Sequence, residues 1–92
     1  MNELVQCLKE CNTVLDSLRT ADYRFVAWII YSTQHSCFVA GVDAYSNDEQ
    51  NLQYVAAKGV SESPLEAMLL VYQQIIEWEE AGEVPVLSEL FS

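Results

Sequence analysis

The sequence predicts an α+β domain in which an antiparallel three-stranded sheet carries both helices on one face and is followed by a short C-terminal tail. Amphipathic segments near the two ends of the chain predict the helices, and three apolar central segments separated by turn residues predict the strands. The order is helix, strand, strand, strand, helix. The 92 residues suit a single domain spanning 1–92, because no repeat, linker or low-complexity tract divides them.

The first predicted helix runs from Asn2 to Arg19. Its apolar residues recur at spacings of four and three, which places them on one stripe: Leu4, Leu8, Cys11, Leu15 and Leu18. Cys7 and Val14 widen that stripe. We expect Cys7 and Cys11 to be reduced and buried, because cysteine on an apolar stripe behaves as a small hydrophobic residue.

The first predicted strand, Tyr23 to Tyr31, is rich in β-branched and aromatic residues. Its alternate residues form two apolar faces. One face carries Tyr23, Phe25, Ala27, Ile29 and Tyr31, and the other carries Arg24, Val26, Trp28 and Ile30. The first face has no charge and is the expected core. Helices cover one face of a small sheet, so the Trp28 face is expected either to contact a partner or to lie beneath the C-terminal segment.

Two further strands complete the predicted sheet. Ser32 to Ser36 is a hairpin connection, and Cys37 to Tyr45 is the second strand. Gly41 within it indicates a bulge or the close approach of a packed helix. Ser46 to Asn51 is the most turn-like stretch, and Leu52 to Ala57 is the third strand.

The second helix has clear boundary signals. Ser63 is placed to cap it, Pro64 to occupy its first position, and Glu66 to complete a capping box. Gly82 is placed to end it in a left-handed conformation. The residues expected to face the core are Leu65, Met68, Leu69, Tyr72, Ile75 and Ile76, with Val71 and Trp78 as a second flank. Beyond Pro85 the tail is expected to pack back along the sheet or the first helix.

The charge balance excludes several classes of partner. Fourteen acidic residues against four basic ones give a formal charge of −10, which disfavours direct binding to nucleic acid or to an anionic membrane. No apolar run is long enough to span a bilayer, and no basic segment precedes an apolar one as in a signal peptide. Together with the odd number of cysteines, this predicts a cytoplasmic protein.

Little in the sequence resembles a catalytic or metal site. A metal site would need more Cys or His residues close together than the sequence offers, and the proximity of the single histidine, His35, to Cys37 lacks a third orienting group. The carboxylates of Asp43, Asp48 and Glu49 lack the alternating oxygen ligands of a calcium loop. No glycine-rich phosphate loop is present. The prediction is a protein that is not an enzyme and that binds no metal or cofactor.

The candidate partner-binding residues are mainly acidic. They are Glu77, Glu79, Glu80 and Glu83 at the end of the second helix, Asp48 and Glu49 in the preceding turn region, and Trp28 on the strand face. Carboxylates at a helix C-terminus oppose the helix dipole, so stability alone would favour Lys or Arg there. One interpretation is an acidic bias for solubility. The other is a surface addressed to a basic partner.

Two families resemble parts of this pattern. The order of elements resembles a double-stranded RNA-binding domain, whose second helix begins with lysines. Here that position is Val60-Ser61-Glu62-Ser63-Pro64, without a base, so RNA binding is not implied. Residues 23–88 resemble HicB-like antitoxins in Gly59, Ser63, Leu65-Glu66-Ala67 and Glu80-Ala81-Gly82-Glu83-Val84-Pro85. That resemblance implies binding to a small basic ribonuclease toxin, without catalysis.

By type, a small acidic domain without an active site also resembles phage-encoded inhibitors of host defence, including anti-CRISPR proteins. The function expected is therefore an inhibitor that binds a basic nucleic-acid-binding protein or nuclease complex and occupies its nucleic-acid surface, in the cytoplasm of a bacterial or infected host cell. Two alternatives stay open. One is a HicB-like antitoxin, and the other is an assembly module that forms a homodimer through its apolar strand face.

Overall fold

The computed structural model describes residues 2–46 and 53–84, and within them it has the predicted order of elements. The elements are α1 (Asn2–Leu18), β1 (Tyr23–Ser32), β2 (Cys37–Ser46), β3 (Gln53–Ser61) and α2 (Pro64–Ala81). The strands form one antiparallel sheet in the order β1-β2-β3. Helix α1 packs beside β1, α2 packs on β2 and β3, and the two helices contact each other. The predicted α+β architecture is confirmed.

The hydrophobic core lies between the helices and the inner face of the sheet. Its largest fully buried side chains are Leu15, Met68, Ile75, Val42, Val71 and Cys11. In β1 the face that packs against the helices is the predicted one, because Phe25 and Ala27 are buried. Tyr31, at the end of that face, is exposed. The complete alternation of β1 therefore buries its uncharged face, and the Trp28 face points away from the helices.

Strand β3 differs from its prediction. It runs from Gln53 to Ser61 rather than ending at Ala57, because residues 58–61 pair with β2. The register shifts between Val42, which pairs with Ala57, and Asp43, which pairs with Val55, so Ala56 is an extra residue in β3. The bulge expected around Gly41 is thus on the neighbouring strand.

The two strand glycines have different neighbours from those expected. The helix approaches Gly59, where an added Cβ would lie 2.6 Å from the carbonyl oxygen of Ala67 and 2.9 Å from Cβ of Leu70. Gly41 is covered instead by the indole of Trp28. The close helix approach expected at Gly41 is therefore wrong, and the helix approaches Gly59 instead.

Helix α2 begins and ends at the predicted residues, but Glu66 does not complete the predicted capping box, because the Ser63 backbone N–H donates to Oγ of Ser61 at 3.1 Å. The Ser63 hydroxyl accepts the backbone N–H of Glu66 at 3.4 Å, Pro64 is the first helical residue, and Gly82 has φ 77°. Its buried stripe is shifted from the prediction, however. The buried residues are Ala67, Met68, Val71, Ile75 and Trp78. Met68 and Ile75 of the predicted core face are buried, and so are Val71 and Trp78 of the predicted second flank. Leu69 of the predicted core face is exposed, so the face toward the sheet combines residues of both flanks.

The remaining sequence predictions concern the acidic turn, the C-terminal tail, the cysteines and membrane spans. Asp48, Glu49 and the tail beyond Val84 lie outside the described residues, although Val84 itself belongs to the buried core. Cys7 and Cys11 are free thiols and buried, as predicted. Within residues 2–46 and 53–84, no helix has the length and apolarity needed to cross a membrane.

Candidate protein-binding surfaces

The sheet face that points away from the helices, here called the outer face, is largely apolar and exposed. Four of its side chains are among the most exposed large hydrophobic residues of the described chain: Val26, Ile30, Val55 and Val60. Cross-strand pairing places Val39 between Ile30 and Val60, and the acid Asp43 between Val26 and Val55; both central-strand residues are buried. An apolar patch of this kind is typical of a surface that contacts another macromolecule.

Trp28 organises the centre of the outer face. It pairs with Gly41, and its indole lies so close that a Cβ on residue 41 would be 2.5 Å from Cζ2 of Trp28. The indole is half-buried, and its Nε1 is shielded from solvent without a hydrogen-bond partner among the described residues. The absence of a side chain at residue 41 lets the indole lie across the central strand and shield its backbone.

Two of the four basic residues belong to the outer face. The Arg24 guanidinium lies 5.2 Å from the centre of the Tyr45 ring, within the range of a cation–π contact. Lys58 is exposed opposite Gly41. The outer face thus combines apolar side chains with two exposed bases and one buried acid, Asp43, whereas the molecule as a whole is strongly acidic.

The second surface is the acidic end of α2, formed by Glu77, Glu79, Glu80 and Glu83. All four side chains are exposed, and none makes an ion pair with a described residue. Helix α2 contains no basic residue in its last turn. The carboxylates therefore lie beside the negative end of the helix dipole, where each costs some tenths of a kcal/mol.

Helix α1 adds to the acidic character of the helix layer. Its exposed acids are Glu3, Glu10 and Asp16, and its only base is Lys9. Arg19, just after α1, forms an exposed ion pair with Asp16 at 3.4 Å. The charges are consequently segregated, with the acids concentrated on the helix layer and two of the bases on the outer face.

The free edge of β1 is a feature that the sequence analysis did not identify. The Asn12 side chain of α1 accepts the backbone N–H of Ala27 at 3.0 Å and donates to the carbonyl of the same residue at 3.4 Å. Nearer the start of β1, Thr20 donates its N–H to the Tyr23 carbonyl at 2.9 Å and accepts the Tyr23 N–H through Oγ1 at 3.0 Å. These bonds occupy part of a strand edge that would otherwise be open.

The thiols and the histidine are not assembled into a reactive site. Burial raises the pKa of the Cys7 thiol, and it raises the pKa of the Cys11 thiol to about 12. Cys37 is buried in β2, whereas His35 is exposed in the hairpin turn. Among the described residues no group of three His, Cys, Asp or Glu side chains could hold a metal ion.

The predicted site residues that the structure describes therefore divide between two surfaces. Trp28 lies on the outer face of the sheet, and the four glutamates lie on the helix layer at the other side of the sheet. Comparison with family models, with curated proteins and with solved structures gives no significant match. Any function must accordingly be inferred from these surfaces.

Proposed function

We propose that the protein is a non-catalytic inhibitor that binds a basic nucleic-acid-handling protein through the acidic end of α2 and occupies its nucleic-acid surface. The observation that carries this proposal is the exposure of four carboxylates at a helix C-terminus with no neutralising base among the described residues. Folding gains nothing from this arrangement, because the dipole at that end favours cations. Binding to a cationic groove would gain from it.

The proposal is consistent with the rest of the charge distribution. The two bases of the outer face, Arg24 and Lys58, lie on the other side of the sheet, away from the end of α2. Surfaces of one sign accelerate association with an oppositely charged partner and disfavour wrong partners more than they add raw affinity. A guide-loaded CRISPR nuclease and a small ribonuclease toxin both present such cationic grooves, since both must bind phosphates.

The proposal is tested with charge-reversal variants of equal net charge. In the first variant Glu79, Glu80 and Glu83 are changed to Lys. In the control Glu3, Glu10 and Glu66 are changed to Lys, which alters the formal charge by the same amount at exposed positions elsewhere on the helix layer. The assay is displacement of a fluorescein-labelled duplex from a purified guide-loaded nuclease, with inhibition of a purified ribonuclease toxin as a second assay.

The wild-type protein should inhibit at least one of these enzymes, and inhibition should weaken as salt screens the charges. The first variant should lose inhibition while retaining or slightly gaining thermal stability, and the control should keep most of its activity. Equal inhibition by the wild-type protein and the first variant would contradict the assigned surface. An equal loss in both variants would show that net charge, rather than the end of α2, is responsible.

A further inference from the structure

We infer that the open half of the β1 edge binds a second copy of this chain, strand against antiparallel strand, so that one continuous sheet runs through a two-fold dimer. The paired segment is Trp28–Ser32, here called the open window, and the two-fold axis passes beside Ile30. This inference does not depend on the acidic end of α2, which lies on a different element.

The direction of the edge groups follows from Asn12. Because Asn12 binds both the N–H and the carbonyl of Ala27, both groups of that residue point away from β2. Backbone groups alternate along an antiparallel strand, so the groups of Ile29 and Tyr31 also point away from β2. The bonds between Thr20 and Tyr23 agree with the same alternation.

The open window has a defined boundary at each end. Asn12 closes the edge at Ala27, and the hairpin turn begins after Ser32 and contains Ser36 at φ 52°. Between these points, the outward groups of Ile29 and Tyr31 have no partner in the part of the chain that the structure describes. The opposite edge of the sheet differs, because the Gln74 side chain of α2 donates to the Lys58 carbonyl at 3.4 Å.

The open window is complementary to itself. When two copies are aligned antiparallel about Ile30, Ile29 lies opposite the partner's Tyr31, and Tyr31 lies opposite the partner's Ile29. Each such pair exchanges two bonds, so the two pairs form about four N–H···O=C bonds. Ile30 then lies opposite the partner's Ile30 in a pair without backbone bonds, the arrangement in which side chains are closest. Pairing cannot extend further, because Ala27 would meet the partner's hairpin turn.

Charge is the reason to assign a second copy as the occupant. The chain carries a formal charge of −10, so two copies repel each other over most of their surfaces. From Phe25 to Cys37, however, there is no Asp, Glu, Lys or Arg. Soluble proteins commonly protect an exposed strand edge with Lys or Pro, and the open window contains neither. It instead exposes Ile30 and Tyr31, so two copies can meet here with apolar contact and without like charges in register.

The test measures oligomeric state by sedimentation equilibrium for the wild-type protein, Ile30→Glu and a matched control. Ile30 is 55% exposed, so a glutamate there should leave the fold intact while placing two carboxylates opposite each other at the axis. The control is Val60→Glu, because Val60 is 53% exposed on the same outer face but on the other edge strand. Circular dichroism establishes that both variants are folded.

We expect a dimer for the wild-type protein and for Val60→Glu, and a monomer for Ile30→Glu. Amide hydrogen exchange of the wild-type protein should show concentration-dependent protection at Ile29 and Tyr31 and none at Val60. A wild-type protein that stays monomeric up to about 1 mM overturns the inference. A dimer that survives Ile30→Glu overturns it too, and loss of the dimer in both variants would assign association to the outer face instead of the edge.

Discussion

The carbonyl oxygen of Ala67 lies so close to Gly59 that a Cβ on residue 59 would be 2.6 Å from it. Real Cβ atoms do not approach backbone oxygen so closely, and backbone cannot move aside as a flexible side chain can. Helix α2 therefore depends on the missing side chain at Gly59 for its distance from β3.

Gly59→Ala should destabilise the protein even though alanine is the better strand residue. Removing glycine from a strand gains about 0.5–1 kcal/mol, whereas overpacking a tight contact costs about 1–3 kcal/mol. The net effect should be a loss of unfolding free energy in a urea titration. Lys58→Ala serves as the control, since Lys58 is exposed and surface changes usually stay within about 0.5 kcal/mol. Equal stability of the wild-type and Gly59→Ala proteins would contradict this account of the packing.

The two tryptophans should differ in their contribution to folding. Trp78 is 6% exposed and part of the core, so Trp78→Ala should cost about 3–5 kcal/mol. Trp28 is only half-buried and lies over Gly41 on the outer face, so Trp28→Ala should cost about half as much. Chemical denaturation of both variants checks this order. If Trp28→Ala is the more destabilising change, the outer face contributes to the core more than its exposure indicates.

Asn12→Ala should destabilise the junction between α1 and β1. The change leaves the N–H and carbonyl of Ala27 without their partner at a part-buried edge, which costs about 1–3 kcal/mol. Thr13→Ala is the neighbouring control, because the Thr13 hydroxyl bonds only to the Lys9 carbonyl at an exposed position of the same helix. Amide exchange should accelerate at Ala27 in Asn12→Ala and stay unchanged in Thr13→Ala. Unchanged exchange in both would show that the Asn12 contact does not protect the edge.

The buried thiols should make the protein sensitive to alkaline pH. Burial raises the pKa of Cys11 from 9.0 to about 12, so the folded state keeps a proton that the unfolded state releases. The contribution to stability is complete below pH 9 and is lost as pH rises from about 9 to about 12. Thermal unfolding of Cys11→Ala should show a shallower decline over this range than the wild-type protein. At pH 8 an aromatic disulfide reagent should label Cys7 and Cys11 only after unfolding, and rapid labelling of the folded protein would contradict their burial.

Local signals in the sequence were sufficient for some elements and insufficient for others. The ends of α2 were predictable because Ser63 and Gly82 act through bonds within their own turn. The last four residues of β3 were not, because Lys58 and Gly59 are residue types that are depleted in strands. There, pairing with β2 and the contact with α2 outweigh local preference.

The orientation of α2 was also beyond a periodicity argument. The helix is apolar over more than half of its circumference, so its sequence allows two adjacent stripes to face the core. The approach at Gly59 selects the stripe containing Ala67 and Val71, and Leu69 and Leu70 are left exposed. The sequence alone contains no sign of which strand glycine the helix will contact.

The candidate surfaces also differed in how far the sequence could predict them. The glutamates of α2 could be placed because charged side chains are almost always exposed. The open window could not be placed, because it consists of backbone groups. It is identified only from the structure, in which Asn12 binds the backbone of Ala27 and no side chain among the described residues binds the outward groups of the residues that follow.

The contact between Trp28 and Gly41 constrains how related sequences can diverge. The two residues lie opposite each other on neighbouring strands, and the indole occupies the space that a side chain at residue 41 would need. Neither position can therefore change freely while the other stays the same. Among homologues, glycine at residue 41 should accompany tryptophan or another large planar side chain at residue 28. A β-branched residue at 41 should accompany a small or short side chain at 28. Such covariation between the two positions would result from this one steric contact.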